Sequence, residues 1–299
     1  MTRTPAALAL SALAVPAVLA APALLATPAA AADECPEIAR QIVEAHLARE
    51  PIAAPEVPDM RTALCVQEAV VTGIAGEPIG WKVGLTSPAM QERLGVDQPV
   101  AGRLLDGMLL EDGARAERDY AARPLIEADL MVRVADAGIM QATDQEDVLA
   151  HLDAFIPFIG LADLVIADGE ELSAEAITAV NAGARLGVVG EPVGMDVSDE
   201  WLTALGGMTV RVETTDEEGE PTGVVGDHPG GEILGHPLEA VLWLVRRLDE
   251  RGESLEAGDL ISLGSFGPPL DVPREGGIRV TYLRLPGGEE PTVLARFRD

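Results

Sequence analysis

Apolar residues recur at helical spacing over residues 35–49 (CPEIARQIVEAHLAR), which predicts a first amphipathic helix. Pro51, Pro55 and Pro58 break that pattern, and a second helical stretch follows over residues 60–72. Residues 89–95 (AMQERLG) predict a short helix stopped by Gly95. Between Gly102 and Val134, glycine and proline punctuate short apolar segments, the mark of strands. Residues 144–155 predict a helix with acids in its first turn. Residues 170–181 predict another, with Ser173-Ala174-Glu175-Ala176 as an N-cap followed by an early acid. Beyond Asn181 the segments ARLGVVG, GMTVRVETT and GEILG predict strands. Pro237 suits the first turn of a helix over residues 237–249, and the arginines late in that helix suit its dipole. The segments DLISLGS, IRVTYLRL and TVLARF end the chain as strands. No repeat of solenoid period occurs, so the expected class is α+β with much antiparallel sheet and helices at the front.

The first 32 residues read differently. Arg3 is their one charge, an Ala/Leu/Val/Pro run follows, and Ala30-Ala31-Ala32 precedes Asp33-Glu34. This is the layout of a secretory signal, with cleavage expected near Ala32. Pro16, Pro22 and Pro28 interrupt the apolar run, which argues against a retained membrane anchor. No later stretch reads as membrane-spanning, so the expectation is export without stable membrane insertion. The rest divides into a helical or α+β region over residues 33–100 and a strand-rich domain over residues 101–299. The formal charge of −29 offers nucleic acid no basic footprint. It also means that an anionic substrate would need positive charge inside its pocket. Cys35 and Cys65 lack metal-ligand spacing. After export they are expected to form a disulfide rather than remain buried thiols.

Two features carry candidate chemistry. Lys82, in Gly80-Trp81-Lys82-Val83-Gly84-Leu85-Thr86-Ser87, is the one lysine in a chain with 20 arginines. A lysine-poor composition would leave one by chance. The other reading is a demand for an ammonium, which moves its proton more readily than guanidinium. In Pro124-Leu125-Ile126-Glu127-Ala128-Asp129-Leu130, strand alternation puts Glu127 and Asp129 on one face. A solvated acidic face satisfies that spacing. So does a divalent cation held by oxygen ligands, for which Mg²⁺, Mn²⁺ and Ca²⁺ are the candidates.

The run GWKVGLTSPAMQERLGVDQPVAGRLLDGMLL, followed by PLIEADLMVRV, LGHPLEAVLWLVRRL and AGDLISLGS, resembles the 2-keto-4-pentenoate hydratase and 4-oxalocrotonate decarboxylase group of the fumarylacetoacetate hydrolase superfamily. The resemblance runs from about Cys35 to the C-terminus. It implies a mixed β-roll with a small helical N-terminal region and a Mg²⁺ or Mn²⁺ site. It implies a small 2-keto acid as substrate, from the catabolism of aromatic compounds, and a possible homo-oligomer. Glu127 and Asp129 fall on metal-ligand positions, and Lys82 and Asp106 on catalytic ones. Leu104, Ser262, Gly264 and Ser265 fall on the substrate pocket, which Leu263 also borders.

Two positions depart from the group's pattern. Its third metal carboxylate falls on Gly160, with Asp163 the nearest acid, and a pocket serine falls on Gly183. A two-acid site completed by water accommodates this, because Mg²⁺ keeps several waters. A relative that binds ligand without turnover also accommodates it. The expected chemistry is hydration of a 2-hydroxydienoate, or decarboxylation or C–C hydrolysis at the same site, with Lys82 transferring protons or pairing charge. Other candidates are weaker. His236 before Pro237 reads as a structural residue, and no serine-hydrolase, P-loop or dinucleotide motif occurs.

Overall fold

A computed structural model describes residues 1–2 and 28–299, with side chains from Cys35 onward. Most of the predicted leader therefore lies outside the described residues. The first helix, α1 (Pro28–Ala48), runs across the expected cleavage point. Next come α2 (Met60–Gly73), β1 (Pro78–Gly84), α3 (Pro88–Leu94) and β2 (Val100–Leu105). The short strands β3 (Leu109–Glu111) and β4 (Arg115–Glu117) lead to the long β5 (Leu125–Val134). Then follow α4 (Gln145–Ala150), β6 (Leu152–Ala162), α5 (Ala174–Ala179), β7 (Leu186–Val189) and β8 (Val193–Gly194). The last third holds α6 (Asp199–Gly207), β9 (Thr209–Thr215), β10 (Pro221–Pro229), α7 (Leu238–Arg251) and β11 (Leu260–Ser262). It closes with β12 (Phe266–Asp271), β13 (Gly277–Leu283) and β14 (Thr292–Arg298).

Among the described residues the strands form two sheets. The larger runs β2-β1-β11-β5-β6-β7-β3, with β12 beside β5 and β8 beside β6. The smaller runs β10-β9-β13-β14-β4. Both sheets mix parallel and antiparallel pairs: β1 runs parallel to β11, and β14 parallel to β4. Because β1 is an inner strand of the larger sheet, the boundary expected at residue 100 cuts through that sheet. The helical N-terminal region is α1 and α2 alone. These two pack with α5 around Ile42, Val66 and Val70, and the Cys35–Cys65 disulfide joins α1 to α2.

Local chemistry explains the helix starts. Asp59 accepts the Thr62 N–H at 2.8 Å before α2, and Ser173 accepts the Ala176 N–H at 3.1 Å before α5. The helix α7 buries Leu238, Val241, Leu242, Val245 and Leu248 on one face and ends at Gly252 in a left-handed conformation (φ 68°). Three expectations need correction. The helix predicted over residues 144–155 stops at Ala150, and β6 begins at Leu152. The segment GEILG forms a short 3₁₀ turn over Gly230–Glu232 instead of a strand. The helix α6, capped by the Ser198 hydroxyl on the Trp201 N–H, falls in the stretch read as strands.

The main core lies between the sheets and α7. The Ile126, Ala128, Leu130 and Val132 face of β5 points into it. The other face of β5 carries Glu127, Asp129 and Met131, and their partners on β6 are Gly160, Phe158 and Ile156. On that side Met131, Phe158, Ile156, Leu104 and Met108 make a smaller apolar cluster. The two carboxylates therefore stand at the edge of an apolar layer.

Candidate active site

The strand order brings Lys82 to the acids. β11 lies between β1 and β5, with Ser262 paired to Lys82 on one side and Met131 on the other. Reaching across β11, Lys82 Nζ meets Glu127 Oε2 at 2.7 Å, with side-chain exposures of 6% and 18%. The contact lacks hydrogen-bond geometry, so Oε2 remains a buried oxygen with no donor aligned on it.

Asp129 is fully buried. It accepts hydrogen bonds from Ser262 Oγ at 2.5 Å, Leu130 N at 2.6 Å and Gly264 N at 3.0 Å. Burial nevertheless pushes its carboxyl up to about 7. The Glu127 charge adds to that rise, whereas the Ser262 bond and Lys82 oppose it. From the second sheet, the Tyr282 hydroxyl donates to the Asp129 carbonyl and accepts the Phe158 N–H at 3.2 Å. It thereby pins the β5–β6 pair at the acid.

A cavity adjoins this array, lined by Lys82, Leu104, Met108, Phe158, Gly160 and Arg185 among others. Gly160 sits opposite Glu127, and a Cβ added there would lie 3.1 Å from Glu127 Oε2. Residues Asn181, Ala182 and Gly183 take successive left-handed conformations (φ 57°, 51° and 67°). The Asn181 side chain fixes this turn to β2, accepting the Arg103 N–H at 2.7 Å and donating to the Arg103 carbonyl at 3.0 Å. Gly102 permits that approach, since a Cβ there would fall 2.3 Å from the Asn181 carbonyl oxygen. The turn presents Gly183 and Arg185 to the cavity. Carbonyls of Tyr120 (3.0 Å) and His46 (2.7 Å) hold the Arg185 guanidinium.

Lys82, Glu127, Asp129, Ser262 and Gly264 are thus brought together, with Leu104 on the cavity wall. Three other expected residues are placed elsewhere. Asp106 is exposed, and its Oδ1 accepts the Glu77 and Gly107 N–H groups at 3.1 and 2.7 Å, so it ties a turn outside the cavity. Asp163 is buried, but its carboxylate is taken up by the N–H groups of Ala122, Arg123 and Val165 at 2.9–3.0 Å. It holds loops together. The Ser265 hydroxyl turns to the Gly267 carbonyl at 3.4 Å. His236 serves the start of α7: Nε2 faces the Leu202 carbonyl at 3.0 Å and Nδ1 accepts the Leu238 N–H at 3.2 Å.

Sequence reasoning missed Tyr282, Phe158 and the cavity-lining role of Arg185. It also passed over Thr86, whose buried hydroxyl has no hydrogen-bond partner and lies where a Gly264 Cβ would fall. The Asn-Ala-Gly-Ala-Arg run was the available signal for Arg185. Nothing local marked Tyr282.

The donor set suits a hard cation. Glu127 offers an unaligned buried oxygen, and Asp129 is a carboxyl whose ionisation burial opposes and a neighbouring cation would favour. Among the described residues no three His, Cys, Asp or Glu side chains converge as a ligand group. Among the described residues Glu127 and Asp129 are the two carboxylates brought together here, and water or substrate oxygens would complete the shell.

No profile of a known protein family matches the chain. Individual proteins do. The 2-keto-4-pentenoate hydratase of Paraburkholderia xenovorans (strain LB400) is 35% identical over 199 residues, which span 65% of this chain and 68% of that protein. The 2-oxo-hept-4-ene-1,7-dioate hydratase of Escherichia coli is 32% identical over 277 residues, spanning 87% of this chain and 96% of that protein. Among solved structures, the 4-oxalocrotonate decarboxylase from Pseudomonas putida G7, complexed with magnesium and adipate, superposes with a TM-score of 0.73. It shares 25% identity over 89% of this chain and 98% of its own.

Proposed function

Because this chain belongs to the 2-keto-4-pentenoate hydratase and 4-oxalocrotonate decarboxylase group of the fumarylacetoacetate hydrolase superfamily, we propose that it is an exported, divalent-metal-dependent lyase that hydrates a small 2-hydroxydienoate or 2-keto acid. The observation that carries this reading is the buried Lys82–Glu127 pair beside Asp129, with Lys82 on the wall of a cavity that is lined by Arg185 and otherwise by apolar side chains and glycines.

Glu127 and Asp129 would hold Mg²⁺ or Mn²⁺. When bound, the cation would act as a Lewis acid on the keto and carboxylate oxygens and stabilise enolate charge. The remaining roles fall to the chain. Lys82 sets a positive charge in the pocket of an otherwise acidic protein, which favours an anionic substrate there. Its Nζ is also the group at the cavity that can exchange a proton with the substrate. Leu104, Met108 and Phe158 give the hydrocarbon part an apolar wall. Ser262 and Gly264 fix the Asp129 oxygens by hydrogen bonds. Hydration first moves a proton to the terminal carbon of the dienol. Water then adds its oxygen to the distal alkene carbon and a proton to its neighbour, with no change in overall oxidation state.

The test uses 2-hydroxypenta-2,4-dienoate with Mg²⁺ or Mn²⁺, followed by loss of dienoate absorbance. Turnover that disappears in Lys82→Ala with the fold intact is the expected result. A flat trace from folded wild-type protein would overturn the enzyme reading and leave ligand binding. Product analysis separates hydration from decarboxylation and C–C hydrolysis. Titration calorimetry with Mn²⁺ tests the metal site, which is removed from consideration if Glu127→Ala binds as wild type does. Export is supported by the leader-like residues 1–32 and by the Cys35–Cys65 disulfide, a bond of oxidising compartments. N-terminal sequencing of the secreted fraction should begin near Asp33.

A further inference from the structure

β12 leaves β5 at a defined point. Phe266 pairs with Ala128, and the register shifts before the next pair, Leu270 with Ile126. Where the two strands part, the Gly267 N–H turns to the Glu232 carboxylate and bonds Oε2 at 2.7 Å. The other oxygen, Oε1, accepts from His228 Nδ1 at 3.2 Å, since a carboxylate only accepts. Glu232 ends the 3₁₀ turn Gly230–Glu232, and His228 lies near the end of β10. One carboxylate therefore joins β10, the turn and β12.

The segment held in this way is the one that reaches Asp129. Between β11 and β12, the Leu263 N–H bonds the Leu130 carbonyl at 2.8 Å, and the Gly264 N–H bonds Asp129 Oδ1 at 3.0 Å. Gly264 (φ 109°) and Gly267 (φ 72°) bracket the short run that follows. Each is packed against a side chain. A Cβ on Gly264 would fall 1.9 Å from Thr86 Oγ1, and one on Gly267 would fall 2.3 Å from His228 Cε1. The chain before α7 closes the same ring, with the Leu234 N–H on the Thr86 carbonyl at 3.0 Å. Glycines restrict the backbone little, so the position of this loop depends on what is bonded to it. The Ser265 hydroxyl bonds within the loop, to the Gly267 carbonyl. Among the described residues, Glu232 is the side chain from outside the loop that bonds Gly267.

We propose that Glu232 is a positioning residue for the metal site: it clasps Gly267, and through the Gly264–Gly267 loop it sets the N–H that holds Asp129 Oδ1. This rests on the reading of Glu127 and Asp129 as ligands of the cation. Groups that orient a metal-ligand side chain without touching the metal commonly change affinity by roughly 10–100-fold. Glu232 acts one step further out, through the loop, so its effect falls at the low end, about tenfold.

The test is hydrogen exchange of the full chain in EDTA, read by mass spectrometry, with Mn²⁺ titration calorimetry on the same proteins. In Glu232→Ala, the peptide covering residues 263–267 should exchange about tenfold faster, while peptides from β6 and α7 keep wild-type rates. Its Mn²⁺ dissociation constant should rise about tenfold. Glu232→Gln loses the charge but keeps an acceptor for Gly267, so it should stay within about threefold of wild type in both readings. Glu232→Asp keeps the charge but is one methylene shorter. It should change both readings in the same direction as the alanine variant, and it takes that variant's place if alanine prevents folding. Four results would overturn the proposal. The first is an unchanged exchange rate over residues 263–267 in the alanine and aspartate variants. The second is faster exchange spread over the whole chain, which is plain destabilisation. The third is wild-type Mn²⁺ affinity in those variants. The fourth is a glutamine variant that loses as much Mn²⁺ affinity as alanine does, which is charge acting at a distance. Wild-type protein that binds no Mn²⁺ would instead sink the functional reading, and the exchange rates would still decide whether Glu232 clasps the loop.

Discussion

The ion pair between Lys82 and Glu127 makes a quantitative demand on stability. The charges lie 2.7 Å apart, and the side chains are 6% and 18% exposed. At an effective dielectric constant of about 20, that separation corresponds to roughly 6 kcal/mol of attraction. Much of it offsets the cost of taking two ions out of water, so the pair as a whole contributes little net stability. Removing one partner is different, because the other charge is left buried and uncompensated, at a cost of about 3–5 kcal/mol. Lys82→Met keeps most of the side-chain volume and deletes the charge. It should therefore destabilise the protein by roughly 3–4 kcal/mol, near the lower end of that range because Glu127 keeps some contact with water. Glu127→Leu strands the more deeply buried ammonium and should cost at least as much. The double variant should lie within about 1 kcal/mol of wild type, giving a coupling of roughly 5 kcal/mol or more between the two sites. Urea denaturation at pH 7 in EDTA measures all four corners of the cycle without a cation to replace the missing charge. Single-variant effects that add, with a coupling below about 0.5 kcal/mol, would refute the claim that the lysine and the acid share a buried environment.

Two buried groups set opposing pH slopes in the metal-free protein. Asp129 is raised from 3.8 to about 7, so the folded state holds a proton that the unfolded chain has lost, and this contribution falls by roughly 4 kcal/mol as pH rises from about 4 to 7. Burial, aided by the Arg185 charge, takes His46 from 6.5 down to about 4, so its contribution rises by roughly 3 kcal/mol over pH 4 to 6.5. The two nearly cancel in wild type. In EDTA, Asp129→Asn should leave stability rising with pH across pH 4 to 6.5, and His46→Gln should leave it falling; slopes of the same sign would show the assignment wrong. Gly160→Glu adds a like charge beside Glu127, so its melting temperature should drop in EDTA and rise more on adding Mn²⁺ than that of wild type. The absence of any extra metal-dependent gain would mean that position does not face the cation. Replacing Cys35 and Cys65 together by serine opens a link between residues 30 apart and should lower stability by roughly 3–4 kcal/mol, seen as a lower urea midpoint.

Sequence patterning was informative wherever structure depends on local backbone geometry. Helical spacing located α1, α2 and α7. Strand alternation put Glu127 and Asp129 on one face, because side-chain direction along a strand is set by the pleat and not by the rest of the protein. It failed at β6, whose faces are almost all buried, so its apolar run shows no alternation to distinguish it from helix. It also failed wherever an acid's role depends on distant partners. Asp163 looked like a spare ligand, but backbone N–H groups some 40 residues earlier in the chain consume its oxygens. Asp106 looked catalytic, but it closes a turn with Glu77. Long-range packing sets β11 between β1 and β5, which puts the Lys82 ammonium on a carboxylate 45 residues away and Tyr282 behind Asp129. Strand order follows from how the whole chain buries its apolar surface, a sum over distant segments that no short window of sequence contains.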